Sequence, residues 1–304
     1  MTRILLLGRD GQVGWQLQRS LAPHGAVTAW GRPDCDLADL DRLRRMVREL
    51  APEVIVNAAA YTAVDKAETD REAAFRLNAG VPGLLAEESA RLGGLLVHYS
   101  TDYVFDGEKD APYLEDDPVN PLSVYGLSKR AGEEAVLAAG GRSLIFRTSW
   151  VFGVRGSNFA KTILRLARER ESLNVVDDQV GNPTPAALVS TVTGLALALL
   201  RRQGGLAMGE GRIYNLAGAG AVSWCRFART VVELASRRPD HDLTLVPEAI
   251  RPIPASDYPT PARRPRNSRL DCRRLEADFG LVMPPWQPYL ERMMEILAHR
   301  RSRG

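Results

Sequence analysis

Hydrophobic positions along the chain alternate between short continuous runs and the i, i+3, i+4 spacing of helices. Runs of strand length cover residues 3–7, 27–30, 53–57 and 94–100, and helical spacing covers residues 15–21, 40–50 and 65–92. Strands that alternate with helices in this way lie parallel and are joined by right-handed crossovers. The pattern therefore predicts an α/β fold with a doubly wound parallel sheet.

Glycines at Gly8, Gly11 and Gly14 separate the first predicted strand from the first predicted helix. Glycine lets the backbone turn sharply and approach a pyrophosphate, which lies against the free amides at the helix N-terminus. A tight turn alone also needs glycines, but the strand before and the helix after favour the dinucleotide interpretation. Residues 8–14 are therefore predicted to bind a dinucleotide.

The second half of the chain is less regular. Residues 143–146, 173–176 and 213–215 are predicted strands that, with a helix over 186–200, complete the sheet. Helical stretches at 158–168, 222–235 and 286–297 and a proline-rich segment at 247–265 predict a smaller C-terminal substrate-binding lobe. The predicted domains are residues 1–152 and 174–217 for the dinucleotide, and residues 153–173 and 218–304 for the substrate.

Two loops, residues 57–62 and 100–103, follow predicted strands and are candidate site loops, because ligands of such sheets bind at the carboxyl edge. Small side chains at residues 58–60 would let a flat cofactor lie close to the backbone, although tight packing explains them equally well. The Thr101 hydroxyl is a candidate to hold a substrate oxygen. A purely structural threonine at a strand end is the alternative.

Tyr125 and Lys129 lie four residues apart near the start of a predicted helix, which begins after residues 120–123 and stops at residues 140–141. This spacing places phenol and ammonium on one face. A neighbouring cation lowers the pKa of a phenol from about 10, so that Tyr125 can exchange a proton with a carbonyl or alcohol. Packing and solvent exposure are the alternative, but only four lysines occur in the chain, which makes a chance match uncommon.

Residues 263–268 form the densest basic cluster of the predicted lobe. Arg264, with Asn267 nearby, is a candidate anion clamp for a phosphorylated substrate, since guanidinium groups bind phosphate through paired hydrogen bonds. A solvated loop is the alternative interpretation.

Composition narrows the function classes. The formal net charge is +3, and the basic residues are nearly all arginine without a phosphate-binding pattern, so a nucleic-acid partner is not expected. The three cysteines lack metal-ligand spacing, which fits a reduced cytoplasmic setting. No apolar stretch approaches the roughly 18 residues of a membrane span, so no membrane association is expected.

Several motifs together resemble the extended short-chain dehydrogenase/reductase family, and within it the branch that reduces dTDP-linked 4-dehydrorhamnose. The likeness covers nearly the whole chain and implies a Rossmann-like fold. It is carried by residues 8–14, 56–66 (VNAAAYTAVDK), 98–105 (HYSTDYVF), 125–129 (YGLSK), 146–150 (FRTSW), 178–184 (DQVGNPT) and 264–270 (RPRNSRL).

The resemblance implies NAD(P)H-dependent reduction of dTDP-4-dehydro-β-L-rhamnose to dTDP-β-L-rhamnose, the last step in making that sugar donor. It implies that Tyr125 protonates the developing alkoxide, that Lys129 keeps Tyr125 acidic and holds the nicotinamide ribose, and that Thr101 bonds the same oxygen. It places around the sugar Val64, Asp65, Asp102, Tyr103 and Trp150. It places on the cofactor Gly11, Gln12, Val13, Asp36, Leu37, Ala60, Tyr61 and Thr62.

Alternative functions within the same resemblance remain. The related 4,6-dehydratases carry a glutamate where this chain has Tyr103, and GDP-fucose synthases carry a cysteine where it has Thr101. Both differences favour a reductase. A reductase or epimerase of another nucleotide sugar stays open, as does a dinucleotide-binding regulatory subunit like that of methionine adenosyltransferase, although intact Thr101, Tyr125 and Lys129 favour an enzyme.

Cofactor choice is predicted from the end of the second strand, where NAD enzymes place a carboxylate for the adenosine ribose. This chain has Gly31 there, followed by Arg32, a cation suited to the 2′-phosphate of NADPH. Asp34 and Asp36 lie close behind and leave NADH possible. NADPH is the expected cofactor.

A metal requirement is not expected. Some relatives hold Mg²⁺ between two subunits through acidic side chains, whereas the corresponding positions here are Gln16 and Ala187. Mg²⁺ prefers carboxylate oxygens. The predicted state is therefore a monomer or weak homodimer without Mg²⁺ dependence.

Overall fold

The computed structural model describes residues 1–301, which form strands and α-helices in alternation. The strands are β1 (Arg3–Leu7), β2 (Ala26–Trp30), β3 (Val54–Asn57), β4 (Leu95–Thr101), β5 (Arg142–Thr148), β6 (Val151–Phe152), β7 (Leu173–Val176), β8 (Val180–Gly181), β9 (Thr184–Pro185), β10 (Gly211–Asn215), β11 (Val222–Ser223), β12 (Ile250–Ile253) and β13 (Asn267–Ser268). The helices are α1 (Gln12–Leu21), α2 (Leu40–Leu50), α3 (Val64–Ala67), α4 (Arg71–Phe75), α5 (Val81–Arg91), α6 (Val124–Ala138), α7 (Phe159–Glu169), α8 (Ala186–Arg202), α9 (Trp224–Ser236), α10 (Arg273–Phe279) and α11 (Gln287–Arg301).

Six strands form one parallel sheet in the order β10-β5-β4-β3-β1-β2. Both faces are buried: Leu6 and Val56 pack under α1 and α8, while Leu5 and Ile55 pack under α2 and α5. The predicted doubly wound parallel sheet is confirmed. The chain leaves β1 for β2 and returns to β3 on the other side of β1, so the strand order reverses there. Such a reversal opens a ligand crevice beyond the carboxyl ends of the strands.

One prediction for the second half is wrong. Leu173–Val176 does not complete the main sheet but pairs with β12 in a separate two-stranded sheet. Its apolar side chains Leu173 and Val175 are buried in a second core, which determines where the strand lies. The proline-rich segment 247–265 contains β12, a strand that its composition hid; Pro252 is tolerated because β12 pairs on one side only.

The second core lies between α7, α9, α11 and the β7–β12 sheet, and includes Ile163, Val231 and Leu290. The predicted helices of this region are confirmed, whereas α10 was not predicted. The predicted lobe extends to residue 304, and residues 302–304 lie outside the described residues. Within residues 1–301, no helix has the length and apolar character needed to cross a bilayer.

Candidate active site

The glycine turn joins β1 to α1 at the edge where the strand order reverses. Gly8 has a φ of +79°, and a Cβ there would lie 2.7 Å from the backbone nitrogen of Ala59. A Cβ at Gly14 would lie 2.0 Å from the carbonyl oxygen of Gly8. Neither position has room for a side chain, and only glycine adopts the first conformation without strain. The turn and the helix therefore pack directly against each other and against the loop after β3.

The N-terminus of α1 fits the pyrophosphate of a dinucleotide. Gly11 is its N-cap and no side chain caps the helix, so the first amides lack intrahelical partners. Free amides at the positive end of a helix dipole bind phosphate groups. The amides of Gln12 and Val13 would hold the pyrophosphate. The Gln12 side chain is engaged elsewhere, donating to the Val151 carbonyl (3.4 Å) and accepting from Asn158 Nδ2 (2.9 Å).

The loops after β2 and β3 reach the same edge and carry the other predicted cofactor residues. Asp36 is exposed and Leu37 half-buried after β2, while Ala60, Tyr61 and Thr62 follow β3. Asn78 holds the second loop, because its amide oxygen accepts from Tyr61 N at 2.8 Å and its amide nitrogen donates to Tyr61 O at 3.0 Å. The predicted cofactor residues are thus brought to one side of the crevice.

Two arginine side chains lie at the end of β2: Arg32, which the sequence analysis named, and Arg9 from the glycine turn, which it did not. Arg32 is exposed. The guanidinium of Arg9 donates to the Ala29 carbonyl at 2.9 Å and pairs with Asp34 at 2.9 Å. Asp34 also accepts from Gly31 N at 2.8 Å. Arg9 was missed although it lies inside the glycine turn, which was read for its glycines alone.

Helix α6 begins as predicted, with Ser123 as N-cap accepting from Gly126 N at 3.2 Å. A Cβ at Gly126 would lie 2.2 Å from the Tyr103 carbonyl oxygen, so the first turn of α6 rests on the one-turn 3-10 helix Asp102–Val104 that follows β4. This contact places Tyr125 beside Tyr103, with ring centroids 5.5 Å apart at an angle of 79°. Thr101 ends β4 at the same point.

The pKa of Tyr125 is raised to about 12, opposite to the direction expected from the sequence. Burial is the main cause, the charge of Asp102 adds to it, and the Thr101 hydroxyl opposes it. Lys129 does not offset these effects, because its ammonium is bonded elsewhere. In the ligand-free protein Tyr125 therefore keeps its proton at neutral pH, as a proton donor must.

Lys129 is buried beneath the crevice. Its Nζ donates to the Tyr99 carbonyl at 2.5 Å and lies 3.3 Å from His98 Nε2. Burial lowers the pKa of Lys129 to about 8, with Glu133 one turn later acting in the opposite direction. Lys129 therefore gives up its proton more easily than an exposed lysine.

Asp102 is buried and incompletely paired. One carboxylate oxygen accepts from the Thr101 hydroxyl at 3.0 Å, while Oδ2 has no hydrogen-bond partner among residues 1–301. Burial raises the pKa of Asp102 to about 6, and interactions with Ser268 and Thr101 partly offset it. An unpaired buried oxygen is costly, which fits a group that a ligand hydroxyl completes.

Asp65 and Arg264 connect the two sides of the crevice. The Asp65 carboxylate accepts from Arg264 Nη2 at 2.8 Å and from Ala262 N at 3.2 Å. Burial raises the pKa of the Tyr103 phenol, and Arg264, which interacts with its hydroxyl, opposes that rise only in part. Arg264 therefore lies beside Tyr103, which packs against Tyr125, rather than in a solvated loop, but Asp65 partly neutralises its charge.

Trp150 follows β5 with a left-handed φ of +46°, a strained conformation for a bulky residue. Its ring stacks on Trp224 with centroids 3.4 Å apart and 10° between planes. A Cβ at Gly181 would lie 2.6 Å from the Trp150 ring, so Gly181 also packs directly against it. These contacts fix the ring at the junction of the two cores.

Two asparagines of the quoted motifs are structural. Asn267 Nδ2 donates to the carbonyls of Lys109 and Ala111 at 2.6 and 2.9 Å, which uses its amide protons on the 107–111 loop. Asn182 donates to Gly218 O at 3.3 Å and accepts from Leu270 N at 3.0 Å. Val64, the remaining predicted sugar contact, is half-buried as the first residue of α3.

The structure brings to the site further polar and aromatic side chains to which the sequence analysis gave no individual role. They are Asn57, Asn78, His98, Glu133, Arg147 and Trp224. Asn57 and His98 interrupt otherwise apolar strands, and a polar residue inside a buried run was the available signal. Within residues 1–301, no group of three or more His, Cys, Asp or Glu side chains is arranged to hold a metal ion.

Fold and site together define a dinucleotide-dependent oxidoreductase of the extended short-chain dehydrogenase/reductase class. The crevice edge combines a glycine turn with a tyrosine and a lysine four residues apart on α6. The chain belongs to the family described as the RmlD substrate binding domain, whose model matches residues 1–299.

Curated relatives agree over nearly the full length. A dTDP-4-dehydrorhamnose reductase of Burkholderia thailandensis is 47% identical over 94% of this chain and 95% of its own. A dTDP-4-dehydrorhamnose reductase of Escherichia coli (strain K12) is 43% identical over 97% of both chains. Among solved structures, the dTDP-4-dehydrorhamnose reductase of Bacillus anthracis in complex with NADP is similar with a TM-score of 0.87 and 32% identity, over 97% of this chain and 100% of that one.

Proposed function

We propose that this chain reduces dTDP-4-dehydro-β-L-rhamnose to dTDP-β-L-rhamnose with NAD(P)H, the last step in the biosynthesis of that sugar donor. The observation that carries the proposal is the placement of Thr101 beside Tyr125, with Lys129 one turn further along the same helix, in a chain whose full-length relatives bear that activity in their names. Bound NAD(P)H would supply the hydride, and the chain supplies the proton and the binding site.

The catalytic roles follow from the surroundings of each side chain. Tyr125 donates its proton to the oxygen that becomes an alcohol, since its raised pKa keeps it protonated until negative charge develops there. The Thr101 hydroxyl interacts with the phenol, and it would bond the same substrate oxygen by turning its one proton away from Asp102. Lys129, whose pKa is lowered by burial, would restore the proton of Tyr125 after its ammonium turns away from the Tyr99 carbonyl.

The substrate is proposed to lie between Tyr103, Trp150 and the loop that carries Arg264. The unpaired Oδ2 of Asp102 suits a sugar hydroxyl. Asp65 acts mainly by fixing Arg264, and Asn267 acts by holding its loop. Val64 contributes an apolar wall. The site thus selects a nucleotide sugar by one cation, one buried carboxylate and aromatic surfaces.

The direct test is stoichiometric consumption of NADPH with dTDP-4-dehydro-β-L-rhamnose. We expect dTDP-β-L-rhamnose as product and unchanged turnover in EDTA, because Gln16 and Ala187 offer no carboxylate for Mg²⁺. Activity that EDTA abolishes and Mg²⁺ restores would contradict the metal prediction. Absence of turnover, with the cofactor still bound, would favour a regulatory dinucleotide-binding subunit, and turnover of a different nucleotide sugar would reassign the substrate.

NADPH is proposed as the preferred cofactor, with NADH used less well. Arg32 is exposed beyond β2 and free to reach a 2′-phosphate, and Arg9 adds a second cation at the same strand end. Asp34 is bound to Arg9 and to Gly31 N, which reduces its capacity to accept from the ribose.

Replacing Arg32 by alanine is expected to lower the preference for NADPH about tenfold to a hundredfold, the worth of one charged hydrogen bond of about 1.5–3 kcal/mol. The measurement is kcat/KM with NADPH and with NADH for the wild type and the variant. Arg45, an exposed arginine of α2, provides a control as Arg45→Ala, which should leave the ratio unchanged. Equal use of both cofactors by the wild type, or an unchanged ratio in Arg32→Ala, would show that Arg32 does not bind the phosphate.

For the organisation of the chain, residues 1–152 and 174–217 are proposed as the dinucleotide domain, and residues 153–173 and 218–304 as the nucleotide-sugar lobe. The separate core of α7, α9 and α11 supports this division, although β7 packs in that core and favours a boundary after residue 176. The proposed assembly is a monomer or weak homodimer. Sedimentation across a range of concentrations measures it.

A further inference from the structure

Three buried polar side chains contact one another in a row that leads from β3 through β4 to α6. Asn57 at the end of β3, His98 on β4 and Lys129 on α6 are each at most 1% exposed. Asn57 Nδ2 lies 3.3 Å from His98 Nδ1, and His98 Nε2 lies 3.3 Å from Lys129 Nζ. The roles proposed above use only Lys129, which leaves the two groups behind it to be explained.

The orientation of Asn57 determines which nitrogen of His98 carries the proton. Asn57 Oδ1 accepts from Ala59 N at 3.2 Å, so the amide nitrogen of Asn57 faces His98 and donates to Nδ1. Nδ1 is therefore the acceptor, and a neutral imidazole must carry its proton on Nε2. The ring is neutral because burial and the nearby Lys129 hold the pKa of His98 well below its usual value.

This tautomer affects Lys129 directly. The N–H of His98 Nε2 faces Lys129 Nζ, where a neutral amine can accept the hydrogen bond but an ammonium, which only donates, cannot. Lys129 Nζ instead donates a short hydrogen bond to the Tyr99 carbonyl oxygen, at 2.5 Å. The contact with His98 therefore stabilises the amine form relative to the ammonium form.

We propose that His98, with its tautomer fixed by Asn57, is a positioning residue that weakens the hold of Lys129 on its proton. The proposal rests on the function proposed above. Tyr125 loses its O–H proton to the substrate oxygen, and one ammonium proton of Lys129 re-forms the phenol. The lone pair left on Nζ accepts the N–H of His98 until a solvent proton restores the ammonium, so no atom or charge is left over.

Other titratable groups near Lys129 come from three elements. They are His98 and Tyr99 on β4, Glu133 on α6, and Arg147 on β5, which is bonded to Glu133. Asp102 acts on Tyr125 instead. Charged groups on the helices packed against α6 have other partners. Asp65 pairs with Arg264, Lys66 with Asp70, Glu72 with Arg76, Glu87 with Arg44, and Glu88 with Arg44, Arg48 and Arg91, while the Arg71 guanidinium lies over the Phe75 ring.

The tautomer is measured directly by ¹⁵N NMR of labelled histidine in the wild-type protein without cofactor or substrate. The chain has four histidines, and the His98 signals are assigned by their loss in His98→Gln. We expect an Nε2–H tautomer with Nδ1 unprotonated across neutral pH. An Nδ1–H tautomer, or an imidazolium at neutral pH, would overturn the proposal.

The effect on Lys129 is measured by ¹³C NMR titration of the lysine ε-carbons, which are few because the chain has four lysines; Lys129→Met assigns the signal. In Asn57→Leu the ring of His98 remains but can change tautomer and accept from the ammonium. We expect the pKa of Lys129 to rise by about one to two pH units, the worth of one hydrogen bond donated by a charged group. The limb of the kcat pH profile governed by Lys129 should move with it. An unchanged or lowered pKa would overturn the proposal.

Thr193→Val is the matched control. It removes a buried hydroxyl that bonds Tyr99 Oη at 2.8 Å, one residue along β4 from His98. It should lower the stability of the protein but leave the pKa of Lys129 unchanged. If the pKa of Lys129 rose as much in Thr193→Val as in Asn57→Leu, loosened packing of β4 would be the cause, and the proposal would be overturned. Both NMR measurements use the protein without cofactor or substrate, so their results do not depend on whether the proposed substrate is turned over.

Discussion

Tyr125→Phe is expected to lower kcat for reduction of the keto sugar nucleotide by about a hundredfold to ten-thousandfold, the usual loss when a general acid is removed. Phenylalanine keeps the ring that packs edge to face against Tyr103 and removes only the hydroxyl. Cofactor affinity should therefore remain close to that of the wild type. Single-turnover kinetics and cofactor titration by fluorescence separate the two effects.

The control for this variant is Tyr214→Phe. Tyr214 lies on β10 and also loses a hydroxyl engaged with a carboxylate, that of Asp278 at 2.7 Å, but it is remote from the crevice edge. Turnover of this variant should stay near the wild-type level at temperatures where it is folded. If Tyr125→Phe kept more than about a tenth of the wild-type turnover, another group would have to supply the proton.

Much of the fold was predictable because its main elements have strong local signals. The apolar run before the glycines has no polar face, which is typical of a strand buried on both sides, and Gly8 to Gly14 have the spacing that the close packing of β1, α1 and the next loop demands. Ser123 before α6 is an ordinary N-cap. The positions of Tyr125 and Lys129 on that helix followed from these signals.

What the sequence could not predict depends on tertiary contacts. The four-residue spacing suggested that Lys129 would lower the pKa of Tyr125, but the ammonium is bonded to the Tyr99 carbonyl, and burial raises that pKa. Strand Leu173–Val176 has no local feature that distinguishes the main sheet from the pair it forms with β12. Neither the partner of a buried group nor that of a short strand is encoded by neighbouring residues.

The ion pair between Glu133 and Arg147 holds α6 on the sheet and carries the largest expected effect on stability. Arg147 on β5 donates from Nε and Nη2 to the two carboxylate oxygens of Glu133 at 2.9 and 2.7 Å. Both side chains are 4% exposed. Nη1 also donates to the Glu115 carbonyl at 3.0 Å, and the guanidinium lies 5.1 Å from the Phe105 ring centroid.

Arg147→Met is expected to lower the free energy of unfolding by about 3–5 kcal/mol, because it leaves the carboxylate of Glu133 buried without its partner. Urea unfolding followed by circular dichroism measures the loss. In the double variant Glu133→Leu/Arg147→Met both charges are replaced by apolar groups, so it should be more stable than Arg147→Met alone. Arg130→Met is the surface control, since the pair of Arg130 with Glu134 on the same helix is 40% and 61% exposed and should contribute at most about 1 kcal/mol. Two outcomes would contradict this expectation: a loss of unfolding free energy in Arg147→Met no larger than in Arg130→Met, or a double variant less stable than Arg147→Met. Either would mean that packing, and not the buried charge pair, fixes α6 together with Tyr125 and Lys129.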